Sequence, residues 1–145
     1  MARSSLVAAV LLVGLLAWLL RGQSVADTLQ RWALPGTWAA DCDQPASDAA
    51  PHMRLVLRPG GGATWERLPS PGSAAVVTGA TIASDGTITL TIEMAPAQSR
   101  TVSLQRSGDR IRSLSDRVAG NEYSVRDGRF IRDGRETPWQ IRCDG

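Results

Sequence analysis

From Thr37 onward, apolar residues recur every second position, in short runs broken by turn residues, and this most constrains what the chain can become. The stretch 87–94 shows it best. Ile88, Leu90, Ile92 and Met94 occupy one face, and Thr87, Thr89, Thr91 and Glu93 the other. Met53, Leu55 and Leu57 alternate with His52, Arg54, Val56 and Arg58 in the same way. Such a pattern buries one face of an extended strand and exposes the other, and it does not fit a helix, whose period is 3.6. Turn signals separate the runs: Pro59-Gly60-Gly61-Gly62, the loop Pro69–Ser73, Ser84-Asp85-Gly86, Pro96-Ala97-Gln98, Ser107-Gly108-Asp109 and Ala119-Gly120-Asn121. In the run 110–118, Ile111 and Leu114 break strict alternation, which a β-bulge would reconcile. Two near-repeats follow, Arg126-Asp127-Gly128-Arg129 and Arg132-Asp133-Gly134-Arg135, and Asp-Gly between strands favours tight hairpins. The last strand is expected over about Thr137–Cys143.

The pattern predicts an all-β protein of about eight to ten short strands with no helix between them. Short connections favour an antiparallel up-and-down barrel, since closure removes exposed strand edges. With 145 residues, one domain is expected.

Only the N-terminus departs from this period. Arg3 precedes an uncharged apolar run from Leu6 to Leu20, then Arg21 and the small residues Ser24 and Ala26. A basic start, an apolar stretch and small residues at positions −3 and −1 describe a secretory signal over residues 1–26. The alternative is an uncleaved anchor over residues 4–20, close to the length of a membrane span. Either reading puts the body of the chain outside the cytoplasm, periplasmic or secreted in the first case and held on the inner membrane in the second. Val25, Leu29 and Trp32 fall at helical spacing, so residues 27–35 read as a short helix or linker ended by Leu34-Pro35-Gly36, and the barrel domain occupies 36–145.

The sequence has two cysteines, Cys42 and Cys143. In an exported chain an even pair reads as a disulfide. Cys42 ends the first expected strand and Cys143 the last, so the bond would clip together the two strands that an up-and-down barrel must join. The enclosed loop is about 100 residues, which in the chain-entropy account is worth roughly 4–5 kcal/mol.

Charge and composition narrow the function. Loss of residues 1–26 would lower the basic count from 16 to 14 against 14 acids, so the mature body is close to neutral and nucleic-acid binding is not expected. No catalytic residues emerge. His52 is the only histidine, parity puts it on the outer face, and no serine stands in a G-x-S-x-G turn. The acids Asp85, Asp109, Asp127 and Asp133 are explained by turn chemistry, and Asp41, Asp43 and Asp48 lack the spacing of a calcium loop. Neither a metal nor an organic cofactor is called for. Two groups remain as candidate binding residues. Trp38, Trp65 and Trp139 could line an apolar pocket or fill the core. Arg126, Arg129, Arg132 and Arg135 could hold a carboxylate, a phosphate or an anionic surface, or be a solvated hairpin rim.

Gly36-Thr37-Trp38, opening the first strand after a short helix, resembles the calycin superfamily of lipocalins, avidins and related bacterial protease inhibitors. The resemblance implies a barrel whose G-x-W tryptophan packs across one end. The stretch from Gly36 through Asp41-Cys42 and Pro45 is also similar to small uncharacterised exported proteins of Gram-negative bacteria, and the strand pattern extends the likeness over about 34–145. The expected function is non-enzymatic binding in the periplasm or envelope, of a small apolar ligand or a protein partner. The alternatives are inhibition of a protease or lysozyme, through Asp27–Leu34 or Asp43–Pro51, and a purely structural envelope role.

Overall fold

A computed structural model describes residues 22–70, 74–94, 98–119 and 121–144. Residues 1–21, which hold the expected anchor (4–20) and most of the expected signal (1–26), lie outside the described residues, as do part of the loop after Leu68, the turn at Pro96-Ala97 and Gly120. The elements in chain order are helix α1 (Val25–Arg31) and strands β1 (Gly36–Ala39), β2 (His52–Leu57), β3 (Ala63–Leu68), β4 (Ala75–Ile82), β5 (Ile88–Met94), β6 (Gln98–Ser107), β7 (Arg110–Val118), β8 (Glu122–Arg126), β9 (Arg129–Phe130) and β10 (Ile141–Arg142).

All ten strands belong to one antiparallel sheet in the order β10-β1-β2-β3-β4-β5-β6-β7-β8-β9, so from β1 to β9 each strand pairs with the next in the chain, and β10 returns beside β1. The sheet curls strongly into an up-and-down half-barrel, a shape compatible with a calycin-like barrel. Its seam is drawn together by the C-terminal segment. Trp38 stands opposite Arg142 across β1 and β10, while the segment just before β10 reaches β7, where Ile111 and Gln140 exchange hydrogen bonds of 3.0 and 2.8 Å. The chain at 140–142 therefore spans from β7 to β1. The hairpin β8–β9 is an excursion from that path, packed beside the later half of β7.

The turns follow residue chemistry. Asp127 and Gly128 take φ of 51° and 70°, two consecutive left-handed residues as a type I′ hairpin requires. Gly108 at φ 61° opens the two-residue link between β6 and β7, where a II′ turn needs glycine first. The second Asp-Gly is wider than the tight hairpin expected of it. Only Gly134 is left-handed, and its N–H donates to the Phe130 carbonyl at 2.8 Å across a four-residue loop. The bulge expected in 110–118 is present: pairing steps from Ser103–Ser115 to Leu104–Ser113, leaving Leu114 as the extra residue.

The inner face carries the core. Leu55, Val77, Ile88, Leu90, Ile92, Val102, Leu104 and Ile111 are all buried, and α1 closes one end by inserting Leu29. Ile88, Leu90 and Ile111 are fully buried. The interior is thus occupied by its own side chains.

The Cys42–Cys143 disulfide forms between Cα atoms 5.2 Å apart, across 101 residues of sequence. It ties the loop after β1 to the end of β10 and so fastens the seam. A bond of this kind fits an oxidising, extracytoplasmic environment. No helix among the described residues is long and apolar enough to cross a membrane.

Candidate functional site

At the end capped by α1, polar and aromatic groups converge. The helix starts because Ser24 caps it. The Ser24 hydroxyl accepts from Asp27 N–H at 3.1 Å, and the Asp27 carboxylate accepts from Ser24 N–H at 3.2 Å. It stops in a Schellman turn. Ala33 is left-handed at φ 54° and donates to the Gln30 carbonyl at 2.9 Å, and Leu34 N–H donates to the Leu29 carbonyl at 3.0 Å. Leu29 and Leu34, both fully buried, make the apolar contact that accompanies this motif.

The exit delivers Trp38 into the barrel end. Its indole is 1 % exposed and its N–H donates to the Leu34 carbonyl at 2.8 Å. Trp32 is also buried and donates to the Gly86 carbonyl at 2.8 Å, which ties the helix to the β4–β5 turn. Two arginines pack on these rings. Arg106, from the end of β6, lies 4.3 Å from the Trp32 ring centre and 5.6 Å from that of Trp38. Arg142, from β10, lies 4.6 Å from Trp38. Their guanidiniums also hold backbone oxygens left open at the helix exit. Arg106 donates to the Trp32 carbonyl at 2.7 Å and to that of Ala33 at 3.3 Å, and Arg142 donates to those of Pro35 and Ala33. Burial lowers the pKa of Arg106, and the nearby charge of Arg142 lowers it further. A surface cleft of about 600 Å³ lies beside the pair, lined by Arg31, Trp32, Ile82, Gly86 and Arg106.

Towards the opposite end, the inner face carries a fork-shaped ion pair. Arg100 Nε donates to Asp116 Oδ1 at 2.6 Å, and Nη2 donates to Oδ2. Register puts Arg100 opposite Ile92 and Asp116 opposite Val102, so both face inward. The bond to Asp116 raises the Arg100 pKa against the opposing effect of burial. On the outer face, Arg54 pairs with the buried Glu66 at 2.6 Å. A smaller cleft of about 170 Å³ lies between Ser99, Thr101, Arg117, Val118, Ala119 and Asn121.

Of the tryptophans picked from the sequence, Trp38 and Trp65 belong to or pack against one core cluster, and Trp139 faces the other way. Trp38 plugs the helix-capped end. Trp65 stands on the inner face opposite Leu55, half-buried and packed against the core. Trp139 is half-buried on the outer face, since its neighbour Gln140 pairs with the inward Ile111, and Arg112 stacks on it at 4.7 Å. Of the four arginines, Arg129 pairs with Glu136 at 2.9 Å and Arg135 with Asp133 at 2.8 Å. Arg132 lies 3.7 Å from Asp133, and Arg126 stacks on Tyr123 at 4.3 Å. All four are exposed on the β8–β9 excursion. Arg135 holds the Asp133 carboxyl below its usual pKa. His52 Nε2 contacts the Gln44 carbonyl at 3.0 Å. Among the described residues, no group of three or more His, Cys, Asp or Glu is placed to hold a metal ion.

Sequence reasoning did not single out Arg106, Arg142, Arg112 or the Arg100–Asp116 pair. Parity offered one signal: Arg106 follows Leu104 at the two-residue spacing of the inner face. No protein family, curated protein or solved structure matches the chain.

Proposed function

We propose that the chain is an exported, non-enzymatic binding protein of the periplasm or cell envelope, a relative of the calycins in architecture, whose target is another protein met on the outer surface. The supporting observation is the filled interior: Ile88, Leu90 and Ile111 are fully buried and Trp38 nearly so, which leaves little room for a ligand inside. Binding then falls to the exterior, and the β8–β9 hairpin carries Arg126, Arg129, Arg132 and Arg135 on an element that stands outside the path of the barrel. Guanidiniums favour carboxylates, so the partner surface would be acidic. A protease or lysozyme bound and inhibited in this way is one form such a partner could take.

The test is capture from an envelope extract, with mass spectrometry of both proteins and small molecules. The parent should retain a defined protein that Arg126→Ser/Arg132→Ser loses. Both are exposed, Arg132 meets Asp133 only at 3.7 Å and Arg126 rests on the Tyr123 ring, so their removal should cost the fold little, which circular dichroism of the variant checks. Equal capture by parent and variant would refute the hairpin as the contact. A second reading, a small apolar ligand, is favoured by the cleft beside Trp32 and Ile82. It predicts a co-purifying small molecule released by Ile82→Arg.

A further inference from the structure

We infer that Ser24–Ala26 are part of the folded domain, that the chain is not cut after Ala26, and that the apolar run Leu6–Leu20 therefore stays attached and tethers the exported barrel to a membrane. The inference rests on export and on the contacts these three residues make. Ser24 supplies both halves of the capping box with Asp27, and its carbonyl accepts from Thr28 N–H at 3.1 Å. Val25 packs against the core cluster. Ala26 N–H donates to the Gly61 carbonyl at 2.9 Å, which pins the first helical turn to the β2–β3 loop.

A cut between Ala26 and Asp27 would remove all of these. It would take the first two residues from a seven-residue helix, leave its first amides without a cap and put a new ammonium group at the positive end of the helix dipole. A leader peptidase needs small residues at −3 and −1. Near the end of the apolar run, Ser24/Ala26 meet that need, and so do Gly22/Ser24. The second pair would have the cut fall after Ser24 and would also remove the cap. Neither site can be used without damaging the element that closes the barrel end. Residues 21–23 reach at most about 10 Å when extended, so a retained run would hold the helix-capped end against the bilayer.

Two measurements on the full-length chain test this. After expression in a Gram-negative host and fractionation, the intact mass should include everything from the N-terminus through Ser24. The protein should pellet with membranes and be released by detergent but not by alkaline carbonate. An exported chain beginning at Val25 or Asp27, or a soluble chain beginning anywhere between Leu20 and Ser24, would overturn the inference. A chain left in the cytosol would instead overturn the export reading beneath it. In the second measurement, Ser24→Ala in the detergent-extracted chain should lower the urea midpoint by about 0.5 M, the size of a lost helix cap. An unchanged midpoint would show that the cap does not support the fold, and the reason for retention would be gone.

Discussion

Replacing Trp38 with alanine removes the plug of the helix-capped end, and the structure allows its cost to be worked out. The indole is 1 % exposed, so nearly its whole surface leaves water on folding. Truncating a buried tryptophan costs about 3–5 kcal/mol in transfer and cavity terms together. Three features put Trp38 at the upper end of that range. Its N–H satisfies the carbonyl of the fully buried Leu34, which loses its partner, at about 1 kcal/mol. Arg106 and Arg142 both lie within reach of its ring, each contact worth about 0.5–1 kcal/mol. The two guanidiniums are also held by carbonyls of Trp32, Ala33 and Pro35, so they are not free to fold into the space left behind. We therefore expect a loss of about 5 kcal/mol, which rivals the whole stability of many domains of this size. Urea unfolding should be followed by far-ultraviolet circular dichroism, because the variant loses a fluorophore. The midpoint should fall by about 3 M. Trp38→Phe keeps most of the apolar area and gives up the N–H, so it should lose only about 1–2 kcal/mol. A Trp38→Ala midpoint equal to that of the parent would refute the argument that this residue closes the barrel.

Other parts of the structure make smaller claims. Cys42→Ser should destabilise the protein by about 4 kcal/mol, read from chemical denaturation, and leave its strand signal in place below the new midpoint. Ala33→Gly should stabilise it by about 1 kcal/mol, because Ala33 is left-handed at φ 54° and glycine takes that conformation without a Cβ penalty. Gly128→Ala should cost about 1 kcal/mol or more by the same reasoning at φ 70°, and no loss would mean the turn is not type I′. The Asp133 carboxyl should titrate below the ordinary aspartate range in a carbon-detected NMR series, and Arg135→Ser should move it back up. With its folded pKa depressed, Asp133 contributes stability at neutral pH that is lost as pH falls through that value. Because the group is exposed, the contribution is small.

Most of the strand order was legible because turn residues and the two-residue period point the same way. The stretch 87–94 reads as strand and β5 is Ile88–Met94, and Asp127-Gly128 has the hairpin that its dipeptide favours. The misplaced alternation at Ile111 and Leu114 correctly marked a bulge, since a break in period has a local cause. What escaped the sequence depends on contacts distant in the chain. Arg106 and Arg142 serve backbone carbonyls 74 and 109 residues away, and no pattern of side chains announces a carbonyl as partner. The outward placement of Trp139 follows from the pairing of Gln140 with Ile111, a register known only once β10 has a neighbour. Ser24 was ambiguous for another reason: a small hydroxyl residue suits both a leader cleavage site and a helix cap, and its contact with Asp27 is what makes it a cap. The second Asp-Gly looked like the first, but Asp133 spends its carboxylate on Arg135 within a longer loop.

Leu55, Ile88, Leu90 and Ile111 fill the barrel interior, and on that ground we propose that recognition belongs to the outer surface. Native mass spectrometry of the protein taken directly from the envelope tests it most directly. The account predicts the mass of the oxidised polypeptide, two hydrogens lighter than the reduced chain, with no small-molecule adduct. A stoichiometric apolar adduct, retained on buffer exchange and lost only on unfolding, would put a ligand inside the barrel and contradict the account.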